Sequence, residues 1–229
     1  MKLANRNLVA GLAIAAATTV AGPAAHADAA GGAATRTTLA VSSATSPTPA
    51  GQKVYLRATV KAVTATGQAV AGTVTFLDGA RVVGTAPLAT DPHGGQVARI
   101  SRGFATGDHS LTARYQGNAT YATSQSLPSP LHVTKAQSRV VVSDTKGSKP
   151  GLWNVVAAVK AVTTGLGVVA TGTVTITVDS FAPQTFALND KGRAHLTLTL
   201  RSGSHNAHVS YSGDSNFAGS TGKLAFTTG

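Results

Sequence analysis

The stretch "YQGNATYATS" (Tyr115–Ser124) returns later in the chain as "YSGDSNFAGS" (Tyr211–Ser220). Each runs aromatic, Gly-Asn or Gly-Asp, second aromatic, then serine. Glycine supplies backbone freedom in such a turn, and an Asn or Asp side chain caps it by hydrogen bonds to nearby backbone. Just upstream, "HSLTARY" places His109, Leu111, Ala113 and Tyr115 on one face of a strand. "HNAHVSY" does the same with His205, Ala207, Val209 and Tyr211, because strand side chains alternate between faces. Each strand ends in the Tyr-x-Gly-Asn/Asp turn and returns through Tyr121 or Phe217, which predicts the penultimate hairpin of each of two copies.

Working outward, the duplication holds. "KVYLRATVKAV" (Lys53–Val63) puts Val54, Leu56, Ala58, Val60 and Ala62 on one side, with Lys53, Tyr55, Arg57, Thr59 and Lys61 on the other. "LWNVVAAVKAV" (Leu152–Val162) sets Trp153, Val155, Ala157, Val159 and Ala161 in the matching inward positions. "GTVTF" (Gly72–Phe76) pairs with "GTVTI" (Gly172–Ile176). Asp78-Gly79 reads as a tight hairpin turn, since both residue types tolerate positive φ. In the second copy Asp179-Ser180 is followed by Pro183, which predicts a differently built hairpin. The mature chain has strands punctuated by turn residues and no helical segment, so the fold class is all-β, two tandem sandwiches.

The run "GTVTFLDG…GTAPL…GDHSLTARYQGNATYATS" resembles the bacterial Ig-like domain repeat family of secreted and surface proteins. The likeness is close over residues 36–135, the expected first domain. Over residues 136–229, the expected second, it is looser, because the Asp-Gly hairpin and the "GTAPL" strand are lost. What the resemblance implies is a tandem immunoglobulin-like sandwich serving as an extracellular adhesion, recognition or spacer module rather than an enzyme.

The first 27 residues read as a secretory signal. Lys2 and Arg6 precede the apolar "LVAGLAIAAATTVAG" (Leu8–Gly22), and Ala25-His26-Ala27 supplies the cleavage pattern. Residues 28–35 then read as a flexible leader, and the short join around Lys135-Ala136-Gln137-Ser138 predicts end-to-end domains. No sorting motif or C-terminal hydrophobic tail is recognisable, so retention at a cell surface is expected to be non-covalent. Cleavage takes two cations from a formal charge of +11, leaving +11 − 2 = +9. A positive secreted protein is drawn to polyanions. Expected partners are therefore an anionic cell-envelope or matrix polymer, or another surface protein, with no specific nucleic acid.

Reactive chemistry finds few carriers. There is no cysteine and no glutamate, which removes disulfides, thiolate zinc sites and His-Glu-x-x-His. Asp108-His109-Ser110 holds the residue types of a hydrolase triad, but neighbours on a strand face opposite ways and cannot relay a proton among themselves. No catalytic residue, metal ligand or cofactor is expected. His109 and His205 read as partly buried, hydrogen-bonded histidines. The candidate ligand residues are Tyr55, Arg57, Lys61 and Arg99, which emerge on one outer face if "KVYLRATVKAV" pairs with "QVARIS" (Gln96–Ser101). Lys160, Arg193 and His195 hold comparable places in the second copy. Two further readings compete: assembly through an unpaired sheet edge, and a secreted hydrolase with a spatially assembled site.

Overall fold

The computed structural model describes residues 32–229. The expected signal segment and residues 28–31 of the leader lie outside them. The first copy runs β1 (Thr35–Ser43), β2 (Thr48–Pro49), β3 (Lys53–Ala62), β4 (Thr73–Asp78) and β5 (Arg81–Pro87). It continues through β6 (Ala89–Thr90), β7 (Gln96–Gly103), β8 (Gly107–Tyr115), β9 (Ser124–Gln125) and β10 (Ser129–Thr134). One sheet has the order β1-β3-β7-β6, the other β2-β10-β8-β4-β5, with β9 added to β8. The second copy runs β11 (Ser138–Lys146), β12 (Leu152–Ala161), β13 (Thr173–Val178), β14 (Gln184–Ala187), β15 (Arg193–Thr199), β16 (Gly203–Tyr211) and β17 (Ser220–Thr228). Its sheets are β11-β12-β15 and β14-β13-β16-β17.

Alternation does the folding work. On β3, Val54, Leu56, Ala58 and Val60 are buried while Lys53, Tyr55 and Lys61 are exposed. They meet Val74, Phe76, Leu111, Ala113 and Tyr115 from the facing sheet. The second core repeats the pattern with Val155, Ala157, Val159, Val174, Ile176, Val209 and Tyr211. Burying each large aliphatic side chain stabilises the fold by about 1.5–3 kcal/mol. A one-residue slip in any of these strands would turn its apolar set to water, so the register is strongly specified.

Three expectations change. The repeated turn closes the last hairpin of each copy, not the penultimate one. In the second copy the return strand and the final strand are one continuous β17. In the first they are split into β9 and β10 around Leu127-Pro128, where proline has no N–H to give the ladder. The "GTAPL" strand is not lost either, since β14 pairs with β13 as β5 pairs with β4, with Thr173 opposite Ala187 and Thr73 opposite Pro87. Backbone pairing needs only extended residues, so the strand survives a change of sequence.

The leader also ends earlier than expected. Ala33 bridges Tyr121, and Thr35 already opens β1. Ala33 N–H donates to Thr120 O at 2.8 Å and its carbonyl accepts from Ala122 N–H at 2.9 Å. Ala136 repeats both contacts with Asn216 O and Ala218 N–H at 2.8 and 2.9 Å. Thr35 Oγ1 and Ser138 Oγ each reach a turn carbonyl and a serine hydroxyl, Ala122 O with Ser124 and Ala218 O with Ser220. Each first strand is thereby docked on its own repeated turn. Between the copies, Gly167 N–H donates to Gly51 O at 3.0 Å and Thr106 N–H to Asn216 Oδ1 at 3.3 Å.

Candidate functional site

The outer face of β1-β3-β7 carries the basic residues. β3 and β7 pair with Arg57 directly opposite Arg99 and Tyr55 opposite Ser101. On the other side of β3, Arg36 of β1 stands opposite Lys61. Arg36, Lys61 and Arg99 are exposed, Tyr55 is 55% exposed, and Arg57 is half-buried. The four sequence-predicted residues thus share one face. A groove of about 540 Å³ is cut into it, lined by Arg36, Thr38, Arg57, Thr59, Lys61, Asp91, His93 and Gly95. Tyr55 and Arg99 stand outside the groove.

Asp91 fixes the wall of this groove. Its Oδ1 accepts the N–H groups of His93 at 3.0 Å and Gly95 at 2.8 Å, and its Oδ2 takes the Arg57 guanidinium. The Gly95 N–H, against the pull of burial and with His93 and Arg57 adding, holds its carboxyl below the usual range. Side-chain alternation on β3 was enough to find Arg57 and Lys61. It missed Arg36, which sat at the margin of an Ala/Gly-rich leader, and Asp91 and His93, which lie in a turn. A signal for Arg36 was present: "AATR" (Ala33–Arg36) is echoed by "AQSR" (Ala136–Arg139).

The histidines form a second arrangement, repeated in both copies. His109 Nδ1 meets Asp78 Oδ2 at 2.6 Å, and its Nε2 meets Ala105 O at 2.9 Å. His205 meets Asp179 Oδ2 at 2.6 Å and Arg201 O at 2.9 Å. The other carboxylate oxygen accepts a strand N–H, from Ser110 at 3.1 Å and from Asn206 at 2.8 Å. Both ring nitrogens face acceptors, so both bonds are complete only for the imidazolium. Burial opposes the charge on His109, but the Ala105 carbonyl and the Asp78 carboxylate outweigh it and raise its pKa. For His205 the Asp179 hydrogen bond leads, with the Arg201 carbonyl, and the direction is the same.

This is a clamp rather than a relay. A histidine whose second nitrogen is held by a backbone carbonyl has no free position from which to take a proton from a serine. Asp108, next to His109 in sequence, instead meets His132 of β10 at 2.5 Å in an exposed pair. Among the described residues no group of three or more His or Asp could hold a metal ion, and no helix is long and apolar enough to cross a membrane.

The family model described as bacterial Ig-like domain (group 3) matches twice, over residues 39–134 and 143–229. The chain belongs to that family. Its two matches make it a tandem Ig-like protein, and domains of this kind are in general non-catalytic binding or spacer modules. No curated protein matches it. Among solved structures it is similar to the fibronectin(III)-like modules of Clostridium thermocellum CbhA, at 18% identity and TM-score 0.29, covering 83% of this chain and 93% of that one. The Yersinia pseudotuberculosis adhesin InvE gives 14% identity and TM-score 0.40, covering 84% and 59%. Bacteroides uniformis beta-glucuronidase 3 gives 12% and 0.30, covering 84% and 25%. Superpositions this distant carry no argument about what the Ig-like protein does.

Proposed function

We propose that this tandem Ig-like protein is secreted, cut after Ala27, and binds an anionic envelope or matrix polymer through the outer β1-β3-β7 face of its first domain. The observation that carries the reading is the grouping of Arg36, Arg57, Lys61 and Arg99 on one face, with a single carboxylate, Asp91, tied to Arg57. Like charges set directly opposite on neighbouring strands destabilise a sheet. The pairs Arg36–Lys61 and Arg57–Arg99 accept that cost, and an anionic chain laid across the strands removes it. Tyr55 adds an exposed ring beside the cations, on which a sugar can stack. The open groove admits an extended polymer.

The test is cosedimentation of residues 28–229 with the producing organism's purified envelope across a salt series. Binding should weaken as salt rises. The double variant Lys61→Glu, Arg99→Glu, both exposed positions, should lose it at low salt. Binding that ignores both salt and charge reversal would sink the reading.

A further inference from the structure

We infer that the second domain carries a polyanion-binding face of its own, on the outer side of β11-β12-β15, and that a long linear polyanion engages both domains at once. The inference rests on the reading of the first domain given above and extends it to a separate set of residues.

The register places this face. Arg139 of β11 stands directly opposite Lys160 of β12. Arg193 of β15 stands opposite Ala158, and His195 opposite Val156. Lys160 and Arg193 are therefore diagonal neighbours, roughly 7–8 Å apart along the backbone. Lys191, in the turn that leads into β15, adds a further cation. Arg139, Lys160, Lys191, Arg193 and His195 are all exposed.

Superposing the copies by their hydrogen bonds shows what changed. Asn189 occupies the place of Asp91: its Oδ1 accepts the N–H groups of Lys191 and Arg193, both at 3.0 Å, as Asp91 accepts those of His93 and Gly95. The shared "VKAVT" sets Val156 in the place of Arg57. The second domain has thus dropped both members of the Arg57–Asp91 ion pair, kept the turn cap as a neutral amide, and gained Lys191 and Arg193 where the first has His93 and Gly95. No ion pair forms on this face among the described residues. The nearest acid by sequence is the exposed Asp190 of the turn, which makes no such contact. An array of like charges left uncompensated on a sheet breaks the local rules that stabilise a surface, and such breaks mark functional positions. The four cations, Arg139, Lys160 and Arg193 on three strands and Lys191 in the turn before β15, are spread along the face rather than gathered at one point. They suit a chain of repeated negative groups. Holding one polymer with two faces makes the second contact intramolecular, which raises affinity without any new kind of contact.

The experiment uses residues 28–229 and polyphosphate as a uniform linear polyanion, in short and long chains, with affinity measured across a salt series. One variant reverses the second face (Lys160→Glu, Lys191→Glu, Arg193→Glu), another the first (Arg36→Glu, Lys61→Glu, Arg99→Glu). Gln versions of both sets keep the test readable if a Glu set fails to fold, and the thermal transition of each variant checks folding. Reversing the second face should weaken long-chain binding at least about tenfold and lower the slope of log affinity against log salt by about 0.7 for each lost cation. Wild-type protein should also prefer long chains to short ones, and either variant should lose that preference. Unchanged affinity and slope after changing the second face, with binding abolished by changing the first, would overturn this inference and leave the first-domain reading standing. The reverse pattern would overturn the first-domain reading and, with it, the engagement of one polymer by both domains, leaving a binding face on the second domain only. Wild-type protein that binds neither chain length overturns both.

Discussion

The repeated turn is built alike in the two domains but wired to opposite chemistry. Asn118 Oδ1 accepts the N–H groups of Thr120 and Tyr121, each at 2.8 Å, and Asp214 Oδ1 accepts those of Asn216 and Phe217, each at 2.7 Å. The remaining side-chain atom differs. Asn118 Nδ2 donates to the Ala71 carbonyl at 2.8 Å, whereas Asp214 Oδ2 accepts from Thr171 N–H at 2.7 Å and Thr171 Oγ1 at 2.8 Å. Thr171 supplies donors where Ala71 supplies an acceptor, and each copy chose the amide or the acid to match. The neighbouring tyrosines diverge with them. Tyr115 donates to Ala71 O at 2.6 Å, while the buried Tyr211 hydroxyl finds no partner with hydrogen-bond geometry. Burial first, and then the Asp214 charge, push the Tyr211 pKa upward.

The histidine clamp diverges in a different way, because its carboxylate arrives from two backbone positions. Gly79 N–H donates to Ser110 O and Asp179 N–H to Asn206 O, each at 2.9 Å, so Asp179 stands where Gly79 does. Gly79 has φ 55° and Asp179 has φ 47°. The first copy lets glycine take the left-handed conformation and sends the carboxylate from the residue before it. The second makes the aspartate do both, at the conformational cost a side chain bears there.

The largest way to break this comparison is Asp78→Ala, which strands His109 and the Ser110 N–H and should cost roughly 2–3 kcal/mol. In scanning calorimetry it should lower the first domain's transition and leave the second's in place. Asp179→Gly should cost less than Asp179→Ala, since glycine regains backbone freedom while losing the carboxylate. Equal losses would mean that the positive φ carries no penalty. Next in size is the cap exchange. Asn118→Asp sets a carboxylate against the Ala71 carbonyl and should cost roughly 1–2 kcal/mol. Asp214→Asn should weaken the second domain instead, and if either exchange is neutral, the donor–acceptor matching does not matter. Smaller still, Tyr115→Phe should cost about 1 kcal/mol in denaturant unfolding, while Tyr211→Phe costs nothing or stabilises slightly.

The smallest effect is the pH dependence of the clamps. Raised folded pKa values at His109 and His205 mean stability that is full below the unfolded value of about 6.5 and lost as pH rises through the folded values. The lowered Asp179 pKa, caused chiefly by His205 and the Asn206 N–H, gives stability present above about 4 and lost as pH falls further. Melting temperatures should therefore peak between about pH 4 and 6.5. The double variant His109→Gln, His205→Gln should flatten the alkaline side, and a wild-type optimum above pH 8 would contradict the assignment.

Much of this was legible in the chain. Alternation in Lys53–Val63 and Leu152–Val162 determined which side chains enter the two cores, because strand geometry admits only two faces. The doubled Tyr-x-Gly-Asn/Asp turn determined duplication. At Gly117 and Gly213 the residue type is forced: φ is 74° and 86°, and a Cβ would meet the Tyr121 or Phe217 carbonyl oxygen at 2.9 Å. The outer-face grouping of Tyr55, Arg57, Lys61 and Arg99 followed from pairing one strand with another. What sequence reading could not reach was every partner set by distance in the chain. Asp78 reads locally as a turn residue, and only the stacking of β4 beside β8 makes it the counter-ion of His109. Asp91 reads as a turn acid, and only the fold brings it under Arg57. Local periodicity is a property of one strand and is written in it, whereas ion pairs and caps join strands whose adjacency the tertiary structure alone decides.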